Sequence, residues 1–438
     1  MTRTQHLPRR ALLLGAAVVL GGCVDPSIGW HDDCLSGCPN RGVVEGNPRP
    51  AGLANLDALF SAVLDLDAAT RRVDHTIRDE ADALAVGLDL APGSEVDAIR
   101  AAAEARIAEA TAGGLRIRVA APRCATSPSI AAATAATCDP ALTLGDVEAR
   151  CVGTCAVDPD LQDQCTPGLR RCLGPAPALF CDGDCQGPCD VVTATCEGTC
   201  RGVCDGACTV FDAQGLCAGD CQGACTGECD MAAGGACPGS CLGSCLYTPV
   251  GPCEADAVVL CEASDELPCA EPCEGVVEVS AAPECQLAAA TAADLLVDCH
   301  PPALTITWQW RDTFADEAAR AEFRAWIAQL RVQLGRLAAA AAEAEHIDAR
   351  AAILSDSFVD TLRATIEELP NTFKASIAAG CALVQAENAM TLLEARNAAL
   401  TETITTADQL ALAVGVDTGS AAPARRPVEI PSPTPAGP

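Results

Sequence analysis

Aromatic side chains are scarce. Seven phenylalanines, four tryptophans and one tyrosine are spread over 438 residues. They form no basic–aromatic face, which excludes stacking on nucleic-acid bases. Lysine occurs once, at Lys374, as expected of a GC-rich coding sequence. No stretch has 18 consecutive apolar residues, so no transmembrane helix is expected. The cysteines include no C-x-x-C and no C-x-C. That removes the usual zinc-loop and metal-cluster spacings, thioredoxin-type redox chemistry and c-type haem attachment. The motifs G-x-S-x-G, G-x-x-x-x-G-K, H-E-x-x-H and G-x-G-x-x-G are also missing.

Acid and cysteine are what the chain has in abundance. It carries 59 acidic and 28 basic residues and 30 cysteines. Arg3, Arg9 and Arg10 precede an apolar run from Ala11 to Leu20, which ends in Leu20-Gly21-Gly22-Cys23. The order is that of a signal peptide. The last four residues resemble a bacterial lipobox, whose cysteine becomes the lipidated first residue of the mature protein. The expectation is a signal peptide over 1–22 and lipid on Cys23. Val24 in second position leans towards the outer membrane. Removing three arginines leaves 25 basic and 59 acidic residues, a net of −34. Such a surface repels nucleic acid and anionic lipid head groups.

The chain divides by pattern. Residues 23–50 read as a Pro-rich tether with a Cys34/Cys38 pair. Residues 51–114 read as a helical hairpin. Leu56, Leu59, Val63, Leu66, Ala69, Val73, Ile77, Ala81, Leu84 and Leu88 recur at steps of three and four. A second helix is capped by Ser94 and closed by Gly113-Gly114. Residues 115–144 and 276–310 contain an internal duplication. Each has A-A-P-x-C, thirteen residues, a second cysteine, and then A-L-T plus an aliphatic residue. "LRIRV", "VVEVS" and "LTITWQW" alternate at period two and predict strands. The expectation is two equivalent β units, paired in one sheet and each closed by its own disulfide: Cys124 to Cys138, and Cys285 to Cys299.

Residues 145–275 form a cysteine-rich array. Its core has runs at spacing four: Cys181, Cys185, Cys189; Cys196, Cys200, Cys204, Cys208; Cys217, Cys221, Cys225, Cys229; and Cys237, Cys241, Cys245. The repeat of roughly twenty residues is in the range where units stack into arrays. Residues 311–416 return to helix. One helix is expected over 313–345, with Phe314, Ala318, Phe323, Trp326, Ile327, Leu330, Leu334 and Leu337. A second is expected over 351–369 and a third from Pro370 to about 414. Residues 417–438 are a Pro-rich tail. The fold class is thus α+β: a helical bundle from the N- and C-terminal helices, small duplicated β units, and an inserted disulfide-rich array projecting from the bundle.

The stretch "CEGTCRGVCDGAC" (196–208) tests three geometries. In an α-helix, spacing four drifts by about 40° per step, and each glycine costs about 1 kcal/mol. Polyproline II and collagen need period three. A strand puts cysteine and glycine on one face and lets two backbones approach closely enough for cross-strand disulfides. Short irregular hairpins are expected, with the linkers around Gly215 and Gly234-Gly235 as turns.

No catalytic constellation assembles. His31-Asp32-Asp33-Cys34 sits in the tether, and Asp182 and Asp184 lack a full calcium loop. The two other mature-chain histidines away from disulfides are His75 and His346. Cys299-His300 reads as a disulfide neighbour, since the duplicate has Asp139 at that place. Without Cys23 the cysteines number 29, which is odd. Cys381 lies far from the others on a stripe with Phe373, Ile377 and Val384, and is expected to be a buried free thiol. No cofactor or metal is expected.

The lipobox, the C-x-G-x-C runs and the A-A-P-x-C…C-x-P units resemble cysteine-rich lipoproteins of GC-rich Gram-negative bacteria such as the myxobacteria. The resemblance covers the leader and residues 115–310. It implies an envelope location and this architecture, and transfers no functional residue. The expected function is a non-enzymatic envelope or surface lipoprotein, held to the membrane through Cys23, that acts as a structural or interaction module towards an envelope partner. The alternative is thiolate metal binding or storage.

Overall fold

The stripe of apolar residues at steps of three and four does build the first helix, α1 (Ala54–Gly87). Leu56, Phe60, Val63, Leu66, Val73 and Ile77 are all buried along it. The computed structural model describes residues 24–25, 29–30, 42–47, 54–120, 122–139, 142–143, 147–156, 171–173, 185–186, 196–231, 240–245, 258–262, 270–367 and 373–415. Cys23, the Cys34/Cys38 pair, His31, Asp182, Asp184, Cys181, Cys189 and Cys237 lie outside these residues, as does the tail.

Helix α2 (Val96–Ala110) follows a short turn. Its N-cap is Glu95 rather than Ser94, whose hydroxyl donates to the Ala91 carbonyl instead. Gly113 and Gly114 do not end α2. They lie inside a strand, β3 (Thr111–Val119), with φ of 91° and 85°. On the C-terminal side, two expected helices are one. The 51-residue α5 spans Glu317–Glu367 without a break near 345–351. No glycine or proline intervenes there, and Ile347, Ala351, Leu354 and Phe358 continue the buried stripe. Helix α6 (Phe373–Ala413) completes the bundle and packs against α1, α2 and α5.

Part of the expected tether also belongs to this body. Val43 is fully buried, and its amide donates to Gln385 Oε1 on α6 at 2.9 Å. Next to it, a Cβ on Gly42 would fall 2.2 Å from the same oxygen. A short ladder also pairs β1 (Val24–Asp25) with β2 (Gly29–Trp30).

The duplicated segments each contain a helix that alternation alone does not reveal. These are α3 (Pro128–Cys138) and α4 (Pro283–Leu295), each with proline in its first turn. Ser127 caps α3 by accepting from the Ile130 amide. The two helices pack together through Ala131, Ala135, Ala289 and Ala293.

The strands around them cross over. Strand β3, which enters the first segment, pairs antiparallel with β14 (Leu304–Trp310), which leaves the second. Strand β12 (Ala270–Val279), which enters the second, pairs with β5 (Ala149–Ala156), which leaves the first. The entry strands therefore do not share one sheet as expected. The short strands β4 (Arg123–Ala125) and β13 (Asp298–His300) also pair.

The remaining strands are β6 (Arg171–Leu173), β7 (Cys185–Gln186), β8 (Cys196–Cys208), β9 (Asp220–Met231), β10 (Ser240–Cys245) and β11 (Val258–Glu262). One sheet runs β3-β14-β8-β9-β10-β7, and a second runs β12-β5-β11-β6.

Candidate functional site

The disulfides correct the sequence reading most directly. Cys124 is bonded to Cys299 and Cys138 to Cys285, with Cα–Cα distances of 4.0 and 5.5 Å. All four cysteines are bridged, but each partner lies in the other segment. The cause is helix length. Eleven residues of α3 advance about 16 Å, and a disulfide spans at most about 7 Å between Cα atoms. Cys124 before the helix therefore cannot reach Cys138 at its end. Helix α4 separates Cys285 from Cys299 in the same way. The two crossed bonds and the packed helices form a collar between the helical body and the cysteine-rich insert. Cys381 is corrected too: it is disulfide-bonded and not a free thiol.

The C-x-G-x-C geometry recurs in both sheets. The ladder sets Cys151 opposite Val277 and Cys155 opposite Cys273, yet the bond joins Cys151 to Cys273. It sets Cys204 opposite Cys225 and Cys208 opposite Cys221, yet the bond joins Cys204 to Cys221. Each bond runs diagonally, to a cysteine four residues from the residue directly opposite in the ladder. Between them two glycines face each other, Gly153 with Gly275 and Gly206 with Gly223.

Gly153 has φ of 149° and Gly206 has 151°, values open to glycine and strained for any other residue. A Cβ on Gly206 would sit 2.2 Å from the Gln222 carbonyl oxygen. In both sheets the diagonally placed cysteines lie 5.8 Å apart, Cα to Cα. Cys208–Cys217 follows the same offset around Val210 and Gly219. The ladder thus keeps cysteine and glycine in alternate positions of the strand, as the sequence suggested, but the bonds cross it diagonally.

The β8–β9 hairpin is rooted in the body's own sheet. Ala207 pairs in parallel with Trp308. Asp205 accepts from the Ile306 amide at 2.9 Å and from the Arg331 guanidinium on α5. Burial pushes the Asp205 carboxyl up, against the pull of Arg331 and the amide. Thr307 Oγ1 donates to the Gly206 carbonyl, and Gln309 to that of Thr209. Beneath this joint lie five of the chain's twelve aromatic side chains. Trp308, Trp310, Phe314, Phe323 and Trp326 form a chain of ring contacts between 5.4 and 6.5 Å. Arg106 and Arg320 cover Trp326 and Trp310.

The collar is fixed to α5 by a buried polar node. Asp294, at the end of α4, meets Arg350, which is 2 % exposed, and His346 Nε2 lies 3.5 Å from its other oxygen. Burial alone would raise the Asp294 carboxyl. The neighbouring His346 and the Arg350 charge outweigh it and hold the carboxyl below its ordinary value. Nearby, Arg72 joins α1 to the Leu295 carbonyl at 3.0 Å and to Glu343 at 2.6 Å.

Sequence reasoning singled out none of Asp205, Arg331, Asp294 and Arg350. Their only signal was a charged residue on an otherwise apolar or small-residue stripe. His75 pairs with Asp79 on the exposed face of α1, and His300 lies 3.9 Å from Asp298 beside the Cys124–Cys299 bond. Among the described residues, no three His, Cys, Asp or Glu side chains cluster to hold a metal ion. No described helix is long and apolar enough to cross a membrane. No family model, curated protein or solved structure matches the chain.

Proposed function

We propose that the chain is a non-enzymatic envelope lipoprotein. Lipid on Cys23 holds a helical body at the membrane, and the body carries a disulfide-braced β array as a structural or interaction module. The observation that carries this reading is the root of the β8–β9 hairpin. It joins the body's sheet through Ala207–Trp308, is clamped by Asp205–Arg331, and is braced by Cys204–Cys221 and Cys208–Cys217. Rigid attachment of this kind suits a spacer or contact module.

Among the described residues, thirteen cysteines are bonded as disulfides, including all four of the collar. Bonded sulfur is no thiolate ligand, which counts against metal storage, and disulfides fit an oxidising compartment.

The two sequence repeats are equivalent halves of the collar in this proposal. Each strand entering one half pairs with the strand leaving the other. The cysteine array repeats the glycine crossing seen at Gly206–Gly223. The ladder next sets Gly202 opposite Gly227, so Cys200 is expected to bond to Cys225.

The test is intact mass of the protein purified from its own envelope, alkylated before and after reduction, with metal content measured in parallel. Lipid mass that disappears in Cys23→Ser, few free thiols and no metal are expected. Many free thiols with several bound metal ions per chain would replace this reading with metal storage.

A further inference from the structure

Strands β3 and β14 present two different faces. Leu115, Ile117, Ile306 and Trp308 pack on the helical body. The other face carries Arg116 and Arg118, with Thr307 and Thr305 directly opposite them. The loop between β8 and β9 folds over this face and leaves an open notch. Its lining includes Arg116, Arg118, Thr305, Phe211, Leu216 and Cys217.

The notch is held in shape from both sides. Arg116 donates to the Gly215 carbonyl at 3.1 Å and lies 3.8 Å over the Phe211 ring. Asp212 Oδ1 fixes the loop by accepting from the amides of Gln214 and Leu216 at 2.9 and 2.8 Å. Gly215, with φ of 77°, completes the turn.

The charge in the notch is unbalanced. Two residues along a strand are about 7 Å apart, so the two guanidinium stems stand side by side on one face. The chain holds 59 acids to 28 bases, and several of its other arginines meet carboxylates, as in Arg72–Glu343, Arg78–Asp74 and Arg331–Asp205. Among the described residues, neither Arg116 nor Arg118 forms an ion pair, and Arg118 has no hydrogen-bond partner.

We propose that this notch binds the carboxylate group of an external ligand. Arg118 supplies the charge-assisted hydrogen bonds, for which a planar guanidinium is well matched to a carboxylate. The Thr305 hydroxyl donates from across the ladder. Arg116, already oriented by Gly215 and Phe211, contributes its charge, and Phe211 and Leu216 form the apolar wall. The walls come from both the body's sheet and the cysteine-rich hairpin, so the ligand bridges the two. This goes beyond the scaffold reading and does not depend on it.

The experiment is calorimetric titration of the oxidised full chain with glutarate. Its neutral diamide and inorganic phosphate are titrated in parallel. Saturable one-site binding of glutarate and none of the diamide is expected. Arg118→Gln is expected to weaken binding about tenfold or more, with Arg311→Gln, an exposed arginine outside the notch, binding as the parent does. Circular dichroism confirms that both variants fold. No saturable binding of glutarate overturns the proposal, as does Arg118→Gln binding like the parent. Binding of phosphate in place of glutarate overturns the assignment to a carboxylate.

Discussion

The helical body and the cysteine-rich hairpin reach order by different chemistry. The body buries Leu56, Phe60, Leu66, Leu330 and Phe358 in one continuous core. Each such side chain contributes about 1.5–3 kcal/mol through burial. The hairpin's own cluster is Cys204, Cys208, Cys217 and Cys221, with Phe211 against it. Its order rests on covalent bonds that close separations of 17 and 9 residues, worth about 3 kcal/mol each in the loop-entropy account. Burial is indifferent to redox conditions, whereas the hairpin's stability is conditional on them.

Reduction should break this comparison open most widely. In excess reductant, the helical circular-dichroism signal is expected to persist while amide protection over 196–231 is lost. Simultaneous collapse of both regions would mean that the body depends on the collar's bonds. Protection that survives in the hairpin would mean that its backbone ladder suffices.

A smaller effect is expected at the joint between the regions. Asp294→Asn leaves Arg350 buried without its carboxylate, a loss of about 3–5 kcal/mol by analogy with other broken buried pairs. Acid should act on the same group. Its folded carboxyl is held below the ordinary value, so its contribution is complete above about pH 4 and is lost as pH falls through the lower folded value. Urea melts at descending pH check this. An equal acid slope in Asp294→Asn and the parent would remove Asp294 from the account.

Smaller again is Gly206→Ala. The new methyl would meet the Gln222 carbonyl at 2.2 Å, an overpacking worth about 1–3 kcal/mol. It should slow formation of Cys204–Cys221 selectively, which non-reducing peptide maps at early refolding times would register. Unchanged pairing kinetics would mean that the glycine contact does not set the crossing.

The comparison also explains what the sequence disclosed. Helix α1 was legible because its apolar residues have one period, and nearly all of them are buried. The strands "LRIRV" and "LTITWQW" were legible for the same reason. Helices α3 and α4 were not, because their runs of alanine carry no polar face to mark a period. That omission caused the wrong pairing: without a helix between them, Cys124 and Cys138 look close. The diagonal bonds were hidden because the alternation of cysteine and glycine is the same whichever cysteine across the ladder is bonded. The glycine midway between cysteines was the signal, but its φ was not. Asp205–Arg331 and Asp294–Arg350 join residues 126 and 56 apart, which no local pattern can couple.

The collar's connectivity tests the account most directly. The protein would be digested without reduction and its disulfide-linked peptides identified by mass spectrometry. The account predicts peptides joining Cys124 to Cys299 and Cys138 to Cys285. Peptides joining Cys124 to Cys138 and Cys285 to Cys299 would contradict it, and with it the two helices that hold those cysteines apart.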